Sequence, residues 1–168
     1  MMLNPASPLS RLLRAPMRPG IVRWLAVRPA RRGAMAAQET LRLDPTQGVE
    51  GDHYSSATSG QRHVTLISDT DLDAIGRFLD TTATPEQLRR NIVVAGINLH
   101  ALKGWRLRVG GAVLEATGAC HPCSRMEQTL GTGGYNAVRG HGGITARVLS
   151  PGTVRLGDTI ERLDEATA

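Results

Sequence analysis

Short apolar runs closed by glycine-containing turns are the feature that most restricts how this chain can fold. Nineteen glycines lie in 168 residues, and glycine suits turns and close backbone contacts because it has no side chain. The clearest case is the pair of runs 105–109 and 112–116, which are separated by Gly110 and Gly111. A two-residue glycine turn between runs of this length predicts a β-hairpin. We therefore expect a β-rich fold.

The remaining runs extend this pattern along the chain. Two short helices are predicted, one over 72–79 after the N-cap residues 68–71, and one that begins with the capping box of Thr84, Pro85 and Gln87. Short apolar or alternating runs predict further strands at residues 21–27, 40–43, 61–67, 91–96, 144–149 and 159–162. With no βαβ repeat visible, we expect a mainly β fold, a closed or nearly closed barrel of mixed strands with a few short helices.

The length fits one domain with tails. Residues 1–38 contain seven arginines and no acidic residue, so the formal charge of +5 belongs mainly to the N-terminus. We expect residues 1–19 to be a basic, disordered tail because its prolines interrupt an amphipathic helix. Residues 20–163 are expected to form the domain, and residues 164–168 a C-terminal tail.

Several partners and locations are not favoured by the composition. Nucleic-acid binding calls for basic residues interleaved with aromatic residues, and only five aromatic residues are present. No apolar run approaches the roughly 18–20 residues that span a bilayer. Two cysteines three positions apart do not form the disulfide framework of a secreted protein. We expect a cytoplasmic protein, with mitochondrial targeting by the N-terminal tail as the alternative.

Both cysteines lie in the stretch Cys120-His-Pro-Cys123, which has several interpretations. The two could simply pack in the core, where cysteine is common. A thioredoxin-type pair would begin a helix within an early βαβ unit, whereas this stretch follows a hairpin late in the chain. A structural zinc site needs four ligands, commonly in two closely spaced pairs, and the remaining histidines are scattered singly along the chain.

The fourth interpretation makes Cys123 alone functional. Pro122 fixes the local backbone and therefore the direction of the thiol, and the cation of Arg125 favours a thiolate. A single exposed thiolate is a ligand for a soft metal or a nucleophile.

The order of the blocks along the chain resembles the MOSC domain, the family named for the C-terminal part of molybdenum-cofactor sulfurases. The resemblance covers residues 20–163 and is closest to stand-alone bacterial members. It rests on five blocks: WLAVRPARRGAM, GVEGDHY, QRHVTLIS, LRRNIVVAGINLHALKGWRLRVGGAVLEATGACHPCSRM and RGHGGITARVLSPGTVRLGD. It implies a β-barrel of the MOSC or pyruvate-kinase-barrel type, which agrees with the strands predicted above.

The resemblance also implies a site. Cys123 matches the family's cysteine, which is a ligand to molybdenum or a carrier of sulfur, and His53 is a candidate for proton transfer. Forked guanidinium groups suit the phosphate of the molybdenum cofactor, and an amide suits the edge of its pterin. The residues expected to bind this cofactor are Asp52, Arg89, Asn91 and Arg125.

The implied activity is the reduction of small N-hydroxylated compounds by removal of oxygen at molybdenum. An external flavin or iron–sulfur reductase would supply the electrons, because two cysteines cannot hold an iron–sulfur cluster of four cysteine ligands. The alternatives are a sulfur carrier that holds a persulfide on Cys123, and a module that binds the cofactor without turnover.

Overall fold

Seven strands close into a barrel in the part of the chain that the structure, a computed structural model, describes, namely residues 4–54 and 60–164. The order around the barrel is β1-β6-β5-β9-β8-β7-β11, and β11 pairs with β1 to close it. This confirms the mainly β, mixed barrel. The strands are β1 (Gly20–Val27), β2 (Ala36–Gln38), β3 (Thr40–Asp44), β4 (Gly48–Val49), β5 (Val64–Ser68), β6 (Ile92–Ala95), β7 (Arg106–Val109), β8 (Ala112–Ala119), β9 (Ile144–Ser150), β10 (Gly152–Arg155) and β11 (Thr159–Leu163).

Two smaller features complete the sheet structure. Strand β2 pairs with the end of β1, and β10, β3 and β4 form a separate three-stranded sheet. The predicted hairpin is present, since β7 pairs with β8 across a turn in which Gly110 has a φ of 54°. The short strands β2, β4 and β10 were not predicted, because two to four residues carry too little pattern to be recognised.

Strands β5 and β6 run parallel, whereas the other described pairs are antiparallel. Two helices, α2 (Asp69–Phe78) and α3 (Pro85–Leu88), make the crossover between them. The sequence showed no such βαβ unit, because each helix is short. The crossover matters for function, because it brings the first residues of both strands to the same end of the barrel.

Both predicted helices are present; α3 begins at Pro85, as its capping box indicated, whereas α2 begins at Asp69, three residues before the predicted start. Ser68 accepts a hydrogen bond from the backbone N–H of Asp71, and Thr84 and Gln87 form a reciprocal capping box. Two further helices, α4 (Ser124–Leu130) and α5 (Gly134–Val138), follow the cysteine stretch and were not predicted. No helix among the described residues has the length and apolar character needed to cross a bilayer.

A short helix, α1 (Pro8–Leu13), lies in the segment that was expected to be a disordered tail. Its first residue is a proline, which is tolerated there because the first helical N–H needs no partner within the helix. Ser7 is the N-cap and accepts a hydrogen bond from the backbone N–H of Ser10. The expectation that the prolines would prevent a helix was therefore wrong for this turn. Residues 1–3 and 165–168, parts of the two predicted tails, lie outside the described residues.

Arg162 attaches the end of this helix to the barrel. Its guanidinium donates hydrogen bonds to the backbone carbonyls of Leu13, Arg14 and Ala15, at 2.9 to 3.0 Å. It also lies 4.2 Å from the centre of the Trp105 ring, which is a cation–π distance. Helix α1 is therefore held against β11 by one side chain that contacts three carbonyls.

The apolar core is divided by the barrel wall. One cluster fills the interior and the other lies between the wall and helices α2 to α5. Strand β5 contributes to both, because Val64 and Leu66 point inward and Ile67 points to the helices. Successive side chains of a strand point to opposite faces of the sheet, so a strand covered on both faces contributes to two clusters.

Gly143, which directly precedes β9, packs closely against the backbone of β5, and this contact can be tested by mutation. Its φ is 79°, and an added Cβ would overlap the carbonyl oxygen of Leu66. We expect Gly143→Ala to lower the free energy of unfolding by about 3 kcal/mol or more, measured by urea denaturation, because strain and overlap combine. The control is Gly104→Ala, where φ is 81° and the space is open. Strain alone costs about 1 kcal/mol there, so equal effects would contradict this account.

Candidate functional site

A cavity of about 580 Å³ lies beside β5, β8 and β9, each of which contributes one residue to its lining. Residues that directly follow β1 or directly precede β5 and β6 also reach it. The loops that follow β4 and β8 and residues of α3 and α4 complete the lining. This volume lies within the range of small-molecule and cofactor sites.

The two cysteines line the cavity in different ways. Cys123 is exposed and its thiol is free, whereas Cys120 is also free but only 4% exposed. The backbone N–H of Cys120 donates to the carbonyl of Gly143, which fixes the start of the loop. Cys123 is the N-cap of α4, and its side chain makes no capping hydrogen bond. Core packing therefore accounts for Cys120 but not for Cys123.

Positive charge dominates the lining of this cavity. Among the residues that the structure describes, five arginines and one carboxylate, that of Asp52, line the cavity. Burial and the positive charge of Arg125 lower the pKa of Arg28, while Asp52 opposes them. The five, which we call the arginine cluster, are Arg28, Arg62, Arg89, Arg90 and Arg125.

Arg89 is held in an unusual backbone conformation at the edge of the cavity. It ends α3 with a φ of 60° and a ψ of 42°, the left-handed region that usually takes glycine. Burial and the charges of Arg28 and Arg125 lower its pKa, against the effects of Cys123 and Asp52. Within the described residues, the guanidinium groups of Arg89 and Arg125 make no hydrogen bond, so both can bind a ligand.

Arg90, by contrast, is fixed by the protein. It is buried, its Nε donates to the carbonyl of Gly142 at 2.8 Å, and its Nη1 donates to the carbonyl of Leu88. Burial lowers its pKa, and the nearby Cys120 is the main group that raises it. Arg90 therefore places a buried positive charge beside the cysteine loop.

The side-chain amide of Asn91 joins three parts of the site. Its Oδ1 accepts hydrogen bonds from the backbone N–H and the hydroxyl of Thr65, at 3.1 and 3.0 Å. Its Nδ2 donates to the carbonyl of Ala26 and to Oδ1 of Asp52, each at 3.3 Å. All four hydrogen-bonding positions of the amide are thus occupied by the protein. Direct binding of a cofactor by Asn91 stays a prediction, and these bonds favour a positioning role.

Asp52 is also engaged by the protein. Its Oδ1 accepts from the backbone N–H of Arg28 at 2.7 Å as well as from Asn91, and its Oδ2 accepts from the backbone N–H of Tyr54 at 3.2 Å. The carboxylate therefore connects the loop after β4 to the end of β1. It lines the cavity, but most of its acceptor capacity is in use.

His53 lies beside Arg28 and is absent from the described lining of the cavity. Its backbone N–H donates to the carbonyl of Arg28 at 2.8 Å, and its Nδ1 lies 3.2 Å from Nη2 of Arg28. Since a guanidinium only donates, Nδ1 is the acceptor. Five of the six predicted residues thus line one cavity, and the sixth, His53, contacts Arg28 of its lining. Their roles in binding and catalysis stay predictions.

Several cavity residues were not predicted, among them Arg28, Arg62, Arg90 and His63. More than half of the chain separates Arg28 from Cys123, and closure of the barrel brings the two to one cavity. Arg90 stands next to the predicted Arg89, but which of two adjacent arginines is buried depends on where α3 ends. Among these four residues, only Arg28 stands where the sequence itself marks the end of an element, because it directly follows a predicted strand and precedes a proline.

Comparisons with known proteins identify the family of this chain and agree with its fold. A family model for the MOSC domain matches residues 47–161. Among solved structures, the YUAD protein from Bacillus subtilis is 22% identical, with 86% of this chain and 96% of that chain covered and a TM-score of 0.77. YiiM from Geobacillus stearothermophilus is 12% identical, with coverages of 89% and 77% and a TM-score of 0.71.

YiiM from Escherichia coli is 15% identical, with 88% of this chain and 72% of that chain covered and a TM-score of 0.65. At these identities the likeness to solved structures shows the fold. A search of curated proteins finds no match. Strand β1 and Arg28 lie before the residues that the family model matches.

The amide of Asn91 supplies a prediction for stability. We expect Asn91→Ala to lower the free energy of unfolding by about 2–4 kcal/mol, because it leaves the partners of the amide unpaired in a buried place. Urea denaturation measures the effect. The control is Asn98→Ala, which removes an exposed cap of the 3₁₀ helix Leu99–Leu102 and should cost about 1 kcal/mol. A loss at Asn91 no larger than at Asn98 would contradict the positioning role.

Proposed function

Because the chain belongs to the MOSC domain family, we propose that its cavity binds the molybdenum cofactor, with the thiolate of Cys123 as protein ligand to the metal. One observation carries this proposal: an exposed thiol and an excess of arginines line the same cavity. The cofactor combines a phosphate with a metal held by sulfur. Arginine suits the phosphate, and a thiolate suits the metal as a further soft donor.

The residues present fit such a group. The guanidinium groups of Arg89 and Arg125 are unpaired within the described residues, and both can form two parallel hydrogen bonds to a phosphate. The Nε of Arg28 is buried and has no hydrogen-bond partner within the same residues, so an acceptor on a ligand would satisfy it. In this proposal Asp52 and Asn91 hold the frame that orients Arg28.

The reaction that we propose is the reduction of small N-hydroxylated compounds. When bound, the cofactor would supply a two-electron centre for removing the oxygen, so that substrate, two electrons and two protons give amine and water. Cys123 would hold the cofactor, and the arginine cluster would neutralise its negative charge. His53, next to Arg28, is the proposed proton carrier. The electrons come from an external flavin or iron–sulfur reductase.

The exposed thiol also supports a second candidate function. A carrier that holds a persulfide needs an accessible cysteine, and Cys123 satisfies this requirement. Nearby cations favour a persulfide anion in the same way as a thiolate. A module that binds the cofactor without turnover would use the same cavity, and it differs only in lacking activity toward N-hydroxylated compounds.

Cys123→Ser and Cys120→Ser form a matched pair for testing the proposal. We expect protein purified from a host that makes the cofactor to contain molybdenum and pterin and, with an added reductase, to reduce hydroxylamine. Cys123→Ser should lose the metal and the activity, because a serine hydroxyl is a poor soft ligand. Cys120→Ser should retain both, and elemental analysis and an amine assay measure them.

The same measurements separate the alternatives. Molybdenum retained by Cys123→Ser would contradict the assignment of the metal ligand. A mass increase of one sulfur atom on Cys123, in protein without bound molybdenum, would identify the sulfur carrier. Bound cofactor without reduction of any N-hydroxylated compound tested would identify the binding module.

The substitution Arg89→Gly distinguishes the effect of Arg89 on cofactor binding from its effect on stability, because Arg89 has a left-handed backbone conformation. Glycine adopts this conformation without strain, so we expect the free energy of unfolding to rise by about 1 kcal/mol. The cofactor content should fall about tenfold or more, because a charged hydrogen-bond donor to the ligand is lost. Arg108→Gly, at an exposed position of β7, is the control and should leave cofactor content unchanged. Full cofactor content in Arg89→Gly would contradict the role of this arginine.

A further inference from the structure

Helix α1 exposes an apolar surface that the barrel does not cover. Leu9, Leu12 and Leu13 expose 50%, 72% and 53% of their surface, whereas the residue of this helix that is buried is Ser10. Three of the seven exposed large apolar side chains among the described residues thus lie on one helix of six residues. A cluster of this kind marks an interaction surface rather than ordinary scattered exposure.

The charge around these leucines has one sign. Arg11 and Arg14 lie on or directly after the helix, Arg18 follows it, and all three are exposed. No acidic residue occurs before Glu39. Leucines interleaved with arginines, without acidic residues, are typical of helices that lie on anionic membrane surfaces.

We propose that α1 docks the protein on an anionic phospholipid surface, with its leucines among the lipid headgroups and its arginines on the phosphates. The small surface of α1 favours a lipid partner over a protein partner. A stable protein interface buries about 800 Å² on each side, and a helix of six residues supplies a small part of that area. A second copy of the chain is disfavoured because two such surfaces would bring their arginines together. Shallow insertion needs few apolar side chains when each arginine adds its own attraction to anionic lipid.

The attachment of α1 suits this role. Arg162 donates to carbonyls at and just after the end of the helix, and Met17 packs against the barrel core. The helix is thus fixed from one side with its leucines outward.

Co-sedimentation of the full chain with vesicles tests the proposal. We expect binding to vesicles of phosphatidylcholine with phosphatidylglycerol, weaker binding in 1 M salt because charge is screened, and none to phosphatidylcholine alone. Leu12→Asp, and separately Arg11→Glu with Arg14→Glu, should each weaken binding about tenfold or more. Because these side chains are exposed, unfolding temperatures should remain that of the wild type.

Matched controls change the same residue types elsewhere. Leu156→Asp alters an exposed leucine after β10, and Arg77→Glu with Arg139→Glu reverses two exposed charges on or next to α2 and α5. These variants should bind as the wild type does. The proposal is overturned if wild-type protein does not bind the anionic vesicles, or if the controls weaken binding as much as the α1 variants. It is also overturned if immobilised polyglutamate captures the protein through α1 while vesicles do not, which would assign an acidic polypeptide partner.

Discussion

The hydrogen bonds of one buried amide hold the candidate site together. Asn91 stands at the beginning of β6, and its side chain bonds to β1 through Ala26, to β5 through Thr65, and to the loop after β4 through Asp52. An amide can do this because it donates and accepts two hydrogen bonds each. The cavity lies where these elements meet, so the directions of Arg28 and Asp52 depend on a residue whose hydrogen-bonding positions are occupied by the protein.

The hydrogen bonds of Asn91 and Asp52 also explain how positively charged arginine side chains remain close together. Burial and the charge of Arg125 lower the pKa of both Arg28 and Arg89, and the repulsion among these side chains costs folding free energy. The interior apolar cluster and the cluster beneath the helices supply stability elsewhere. Under the proposed function, the anionic cofactor would relieve this repulsion, so part of the unfavourable energy of the folded protein would be recovered on binding. Arg89 adds backbone strain to the same balance.

Most of the correct predictions came from patterns within short stretches of neighbouring residues. The β7–β8 hairpin and the Thr84 capping box depend on neighbouring residues, and both were found in the sequence. The parallel pairing of β5 with β6 depends on contacts across 20 or more residues, and no local pattern records it. Helix α4 was missed because its N-cap is a cysteine, which makes no capping bond. Helix α1 was missed because Pro8 was taken as an interruption, although at the first helical position it is compatible with the helix.

The residues of the candidate site divide in the same way, into those predicted from local patterns and those that the fold brings to the cavity. Cys123 and Arg89 were predicted from the blocks in which they stand. Arg28 and Arg90 also stand in such blocks, but they reach the cavity through barrel closure and burial, which the sequence of a block does not record. The exposure of Cys123 and the burial of Cys120 likewise follow from where β8 ends and α4 begins, and a spacing of three positions does not determine it.

The loop that carries the sulfur is anchored by main-chain atoms. The N–H of Cys120 bonds to Gly143, and Gly142 packs so closely on the carbonyl of Cys120 that no side chain fits between them. Main-chain bonds do not depend on the identity of the side chains at His121 or Ser124. Those two side chains can therefore be exchanged, and the surroundings of the Cys123 thiol altered, without a change in the barrel that anchors the loop.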